Sequence, residues 1–316
     1  MNAEKRSRPA NAQAVTHAKA SPVVLTADTA SEEAFIAIVG ACLRHAEANR
    51  PAVLDAQVEG VHQMRVAFRR LRSGLKIFRP LIPREASAEL VAGIRWLNGF
   101  LGPARDWDVF LEEGMSPVFA RFPRKRGLRL FRARAEALRR SHYRSLRAAL
   151  NEPHYPLLLQ QFAGWLEQRA WRENLADSQR ERLEESVLEF ATPLLETDHR
   201  RVLKRGDDFA RLSAEERHAL RIRIKELRYA QDFFASLYPT ASVKLYLGAL
   251  ANLQDGLGVM NDIAVTQRLL DEARLTTVSA ARQVIDGWYG CRLDIHECRF
   301  AESWRCFVEC ERPWKN

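Results

Sequence analysis

A histidine followed by cations at steps of three and four occurs twice in this chain: His62, Arg65, Arg69, Arg72 and Lys76, then His218, Arg221, Lys225 and Arg228. At about 100° per residue these steps lay each set along one line of a helix. Solvated helix surface normally mixes signs, because acid–base pairs at i,i+4 each add about 0.2–0.5 kcal/mol and like charges cost as much. No acid occurs between residues 61 and 82, so the first row keeps its repulsion. Such a row suits an anion: protonated histidine donates from both ring nitrogens, and arginine grips phosphate or carboxylate oxygens with a planar fork. The alternative is ordinary solvated surface.

The two sets lie 156 positions apart, and they do not repeat alone. At that offset residues 59–109 and 215–265 share 13 identities in 51 positions, among them Leu71/Leu227, Phe78/Phe234, Pro83/Pro239, Leu101-Gly102/Leu257-Gly258 and Asp106/Asp262. Repeated apolar positions serve packing, whereas repeated cations argue for a repeated site. The expectation is an internal duplication, with differences in detail: Lys76 corresponds to Asp232 and Arg105 to Asn261.

The elements that must carry these rows are helices. Met64, Phe68, Leu71, Leu75, Phe78 and Ile82 form an apolar stripe beside the first cationic row, and Leu220, Ile224, Leu227, Phe234 and Tyr238 form one beside the second. Most other segments carry the same 3.6-residue period, so the fold class expected is all-α: two pseudo-symmetric helical bundles packed around a basic cavity or channel. Residues 1–28 lack aromatics, contain Pro9 and Pro22, and read as a disordered leader. The halves are expected at about 29–171 and 172–316. Thr29 with Glu32, and Ser213 with Glu216, have the spacing of capping boxes. The first row's helix should stop by Pro83 and the next near Gly102-Pro103; further helices are expected at about 127–150, 155–171 and 179–204.

The net charge of +9 is unevenly spread, since residues 121–150 hold eleven Lys or Arg against the single acid Glu136. Of 49 basic residues 41 are Arg, a bias that both phosphate recognition and a GC-rich gene produce. Cys42, Cys291, Cys298, Cys306 and Cys310 include no C-x-x-C pair; they read as free thiols of a reducing cytoplasm rather than a disulfide framework or, with His296, a metal site. No apolar run approaches the roughly 18 residues that span a bilayer.

The strings Val61-His-Gln-Met-Arg-Val-Ala-Phe-Arg-Arg-Leu-Arg72 and Leu101-Gly-Pro-Ala-Arg-Asp-Trp-Asp-Val109 resemble the first-half signatures of the CHAD family, the conserved histidine α-helical domain. His218 through Tyr229 and Leu253 through Asp262 resemble the second-half signatures, and the similarity runs over about residues 29–316. The resemblance implies non-catalytic binding of inorganic polyphosphate in a basic cavity between the halves, and association with cytoplasmic polyphosphate granules. Carried over by position, the phosphate-facing residues are His62, Arg65, Arg69, Arg72, His218, Arg221, Lys225 and Arg228, with Arg44, Lys76, Arg200 and Arg223 as a second tier. Phosphate or sulfate ions are expected to enter the same site. The E-x-E-x-K signature of the triphosphate tunnel domain attached to some family members does not occur here.

Asp106 and Asp262 only accept hydrogen bonds, so they are expected to orient arginines rather than touch a polyanion, with plain helix capping as the alternative. No nucleophile elbow, phosphate-cradling glycine loop or paired-acid arrangement is evident, and neither an enzyme nor a cofactor is expected. Two rivals stand beside polyphosphate. Glu59-x-x-His62 and Glu215-x-x-His218 have the i,i+3 spacing of dimetal helical bundles, although Arg65 and Arg221 beside them would repel a metal cation. The basic segment 121–150 could attract nucleic-acid backbones non-specifically, but no aromatics are interleaved with its charges for base stacking.

Overall fold

The fold, taken from a computed structural model, describes residues 16–276 and 279–315, with side chains undescribed at 174, 210, 214, 259–264 and 291–299. Among the described residues it is helical, with one isolated antiparallel bridge, Ala30 to Ser186, and no strand. The first half of the chain forms α1 (Ser31–Ala48), α2 (Arg50–Leu54), α3 (Val58–Ile77), α4 (Ala88–Val109), α5 (Ser116–Arg121), α6 (Arg126–Asn151) and α7 (His154–Glu167). The second forms α8 (Asp177–Glu184), α9 (Val187–Gly206), α10 (Ala214–Phe233), α11 (Thr240–Glu272) and α12 (Ala280–Glu309).

Helices α3 and α10, which carry the two cationic rows, are each 20 residues long and differ by 156 at both ends. Their apolar stripes drive the packing. Met64, Phe68 and Leu71 on α3 and Leu220, Ile224 and Leu227 on α10 have no exposed surface, and each such side chain contributes about 1.5–3 kcal/mol by leaving water. The stripe of α3 meets Phe35, Ile38 and Val39 of α1 in one apolar cluster that also takes in Phe233 and Leu250 from the second half. A smaller cluster likewise joins Trp107, Phe110 and Phe131 to Leu269, Leu270 and Ile285. The halves therefore do not bury separate cores; each cluster is built from both.

Several boundaries differ from the sequence expectation. Residues 16–28 are not a disordered lead: Ala18 exchanges hydrogen bonds with Asn49 at 3.0 and 2.9 Å and accepts one from His45, while Leu25 is buried and paired with the Ser236 hydroxyl. Their backbone groups find side-chain partners on the bundle, which compensates for the lack of local structure. The rest of the leader, residues 1–15, lies outside the described residues.

The Thr29–Glu32 capping box does not form, because Glu32 is drawn inward to Arg169, Arg172 and the indole N–H of Trp171. The one at Ser213–Glu216 does, with both reciprocal hydrogen bonds in place. Helix α4 does not stop at Gly102-Pro103; it runs through Pro103 to Val109. The carbonyl that proline leaves unbonded is that of Gly99, which is exposed with nothing crowding it, so water can take its place. The single helix expected over 179–204 is split into α8 and α9, since the carbonyl of Glu185 and the N–H of Val187 are spent on the backbone of Ser31 and Thr29.

Candidate functional site

Where α3 crosses α10, two ion pairs fasten them: Arg70 to Asp232 and Lys76 to Glu226. Arg70 stands at the 156-residue offset from Glu226, and Lys76 from Asp232, so the pairs exchange with one another under that offset. This is the pattern of a two-fold contact, in which residue i meets j and the equivalent of j meets the equivalent of i. Arg70 also lies 4.8 Å over the Phe233 ring.

Beside this seam lie two cavities that share Arg69 and Lys225 as lining residues, so they form one groove. The first, about 320 Å³, is walled by His62 and Arg65 from α3, Arg221 from α10, Arg105 and Asp106 from α4, and Tyr289 from α12. The second, about 470 Å³, is walled by Arg72 and Lys76 from α3, Arg79 and Arg84 from the connection that follows, Arg95 from α4, and Glu226 and Tyr229 from α10. One rim of the first is a π-helical turn, Phe110–Met115, a distortion often found at functional sites. Gly114 in that turn is required by space, because a Cβ there would stand 2.2 Å from the Tyr289 hydroxyl.

Arg65 stands among several other guanidinium groups. One carboxylate oxygen of Asp106 lies 3.4 Å from it, and the other accepts from Arg268 at 2.6 Å, so one acid serves two guanidinium groups. Burial, opposed by Asp106 and reinforced by Arg69, Arg105 and Arg268, holds the Arg65 pKa below the ordinary guanidinium value. Its one ion-pair partner among the described residues, Asp106, is shared with Arg268, so its positive charge is incompletely answered. A Cβ at Gly102 would lie 3.1 Å from its Nη1, so the glycine leaves room for the fork. His62 is held below the ordinary histidine range, first by burial and then by the Arg105 charge, with Glu59 opposing.

Six of the eight first-tier residues thus line one groove: His62, Arg65, Arg69, Arg72, Arg221 and Lys225. His218 and Arg228 line neither cavity; both are exposed, and Arg228 donates to Gln254 at 2.7 Å. Arg228 is turned toward α11, although α10 still meets α3 beyond it through Asp232 and Phe233. In the second tier, Lys76 lines the groove but is ion-paired with Glu226, which Arg223 also approaches at 2.9 Å. Arg44 and Arg200 are exposed on α1 and α9, away from the groove, and Arg200 stays beside Glu196 of its own helix. Asp106 is ion-paired with Arg65 and Arg268; the side chain of Asp262 lies outside the described residues, as do those of Asn261, Cys291, His296 and Cys298.

Arg79, Arg84, Arg95 and Arg268 were missed by the sequence reading, and Arg105 entered it only within a motif and as the counterpart of Asn261. The available signal was the acid-free stretch after residue 61, which continues through Arg84 to Glu85. Among the described residues no group of three or more His, Cys, Asp or Glu could hold a metal ion, and Glu59 of the Glu-x-x-His motif accepts from Gln63 at 2.7 Å. No described helix is long and apolar enough to cross a membrane.

The family model described as the CHAD domain matches residues 37–271. The crystal structure of the CHAD domain from the plant Ricinus communis is similar at 32% identity and TM-score 0.80, covering 94% of this chain and 98% of that one. PptA from Streptomyces chartreusis shares the fold at 13% identity and TM-score 0.62, over 88% of this chain and 100% of that one. No curated protein matches.

Proposed function

This chain belongs to the CHAD domain family, and from that premise we propose that it binds inorganic polyphosphate, without turnover, along the groove between α3 and α10. The observation that carries the proposal is the convergence of Arg65, Arg69, Arg72, Arg105, Arg221 and Lys225 from three helices on a groove where Arg65 shares the carboxylate of Asp106 with Arg268. Crowded cations in a partly dry groove repel one another, and an anion that answers them is bound by the repulsion it relieves. A flexible polymer with charge on every unit matches a linear groove better than a compact anion does. Phosphate or sulfate ions would occupy the same positions one at a time and more weakly. A binder of this kind would collect on polyphosphate granules in the cytoplasm.

Affinity should come largely from counterion release. With about eight cations engaged (Arg65, Arg69, Arg72, Arg84, Arg95, Arg105, Arg221 and Lys225), log affinity should fall with log salt at a slope of about −5 to −6 on the single-strand analogy. Titration with polyphosphates of defined length at several salt concentrations measures it. Arg65→Ala should make the slope shallower by about 0.7, and Arg200→Ala should leave it unchanged. A wild-type slope shallower than about −2 would refute the proposal.

A further inference from the structure

The groove continues past Lys76 into a third cavity of about 490 Å³, and Ser73, Lys76, Arg79 and Glu226 line both sides of the passage. The electrostatics change there. On the near side Arg69, Arg72, Arg84 and Arg95 have no ion-pair partner among the described residues, whereas on the far side Arg201 is answered by Asp198 at 2.9 Å, and Glu185 and Glu189 set negative charge beside Arg182. At the boundary itself the Glu226 carboxylate takes Lys76 from the α3 side and Arg223 from its own helix.

We propose that Glu226 is a charge gate that ends the phosphate path at Lys76 and so sets the length of polymer the groove engages. The inference rests on the polyphosphate reading of the same groove. Glu226 acts in two ways: it pairs Lys76 and Arg223, two of the cations that would lead the chain onward, and it presents a like charge to a polyanion where the second and third cavities share their lining. The gated path follows α3 from His62 to Lys76, which at 1.5 Å per residue is about 21 Å. The twin ion pair provides an internal control, because Arg70–Asp232 fastens the same helices but lines none of the three cavities.

The test is binding of polyphosphates of graded, defined length to the full chain, its Glu226→Gln variant and its Asp232→Asn variant, at one salt concentration, with thermal melting of each to compare the loss of a seam pair. For the wild type, affinity per chain should level off once the extended polymer exceeds about 21 Å. In Glu226→Gln the plateau should move to longer chains, and chains beyond the old plateau should bind about three- to tenfold tighter, as expected for removing a partly screened like charge. Asp232→Asn should keep the wild-type plateau even if it melts lower. Wild-type binding with an unmoved plateau in Glu226→Gln, or the same shift in Asp232→Asn, overturns the gate alone. Absence of polyphosphate binding by the wild type overturns the gate together with the function on which it rests.

Discussion

Lowering the pH should tighten polyphosphate binding through one residue, His62. Burial and then Arg105 hold its pKa below the ordinary histidine range, with Glu59 and Glu113 opposing and Arg69 reinforcing. A bound polyanion adds negative charge beside the ring and raises its pKa. Because the histidine pKa is higher in the complex than in the free protein, binding takes up a proton. Affinity therefore rises as pH falls through the pKa of the complex, and it stops rising below the lower pKa of the free protein. One group can contribute at most about tenfold per pH unit, or 1.4 kcal/mol. Titrations from pH 8 to pH 5 with the wild type and His62→Gln, at constant ionic strength, isolate the term, because changes in the polymer's own end groups are common to both. The wild type should gain more than His62→Gln as pH falls. Parallel profiles would refute a charged role for His62 in binding.

Two further outcomes follow from the same physical chemistry. Glu32→Ala should destabilise the fold by about 2–3 kcal/mol in denaturant titration, below the 3–5 of a fully buried broken pair, because Arg169 and Arg172 are 40% and 33% exposed and can rehydrate. The Glu32 carboxyl, against its burial, is held below the ordinary range by Arg172 and Trp171, so its contribution is present above about pH 4.5 and lost as pH falls through its folded pKa; equal stability of the variant and wild type at pH 6 would contradict this. For the basic helix, reversing Arg126, Arg129, Arg140 and Arg144 to Glu should weaken duplex DNA binding at low salt about a hundredfold or more while leaving polyphosphate affinity within about threefold. Equal losses for both polymers would place the polyphosphate contacts on α6 instead of the groove.

Much of the fold is legible in local pattern. The apolar stripes of α3 and α10 are buried as their spacing requires, the Ser213 cap forms, and the all-α class follows from a 3.6-residue period that recurs along the chain. Local pattern failed where a residue had a stronger distant partner. Glu32 has the spacing of a capping residue but satisfies two guanidinium groups and an indole from residues 169–172. Ala18 and Leu25 lie in a segment with the composition of a disordered lead, yet their backbone groups are bonded to Asn49 and Ser236. Neither partnership leaves a mark within a window of ten or twenty residues.

The candidate site divides along the same line. Sequence alone placed His62, Arg65, Arg69 and Arg72 on one line of a helix and Arg221 and Lys225 on another, because side-chain direction along a helix depends only on position in the turn. Which members of two such lines meet depends on the crossing of the helices, and that is set by how their apolar stripes pack. The crossing brings Arg221 and Lys225 to the α3 row, leaves His218 and Arg228 outside the cavities, recruits Arg84 and Arg95, and pairs Lys76 with Glu226. Composition and periodicity determined that cations stand in rows; only the packing of α3 on α10 decided which of them share a groove and where an acid closes it.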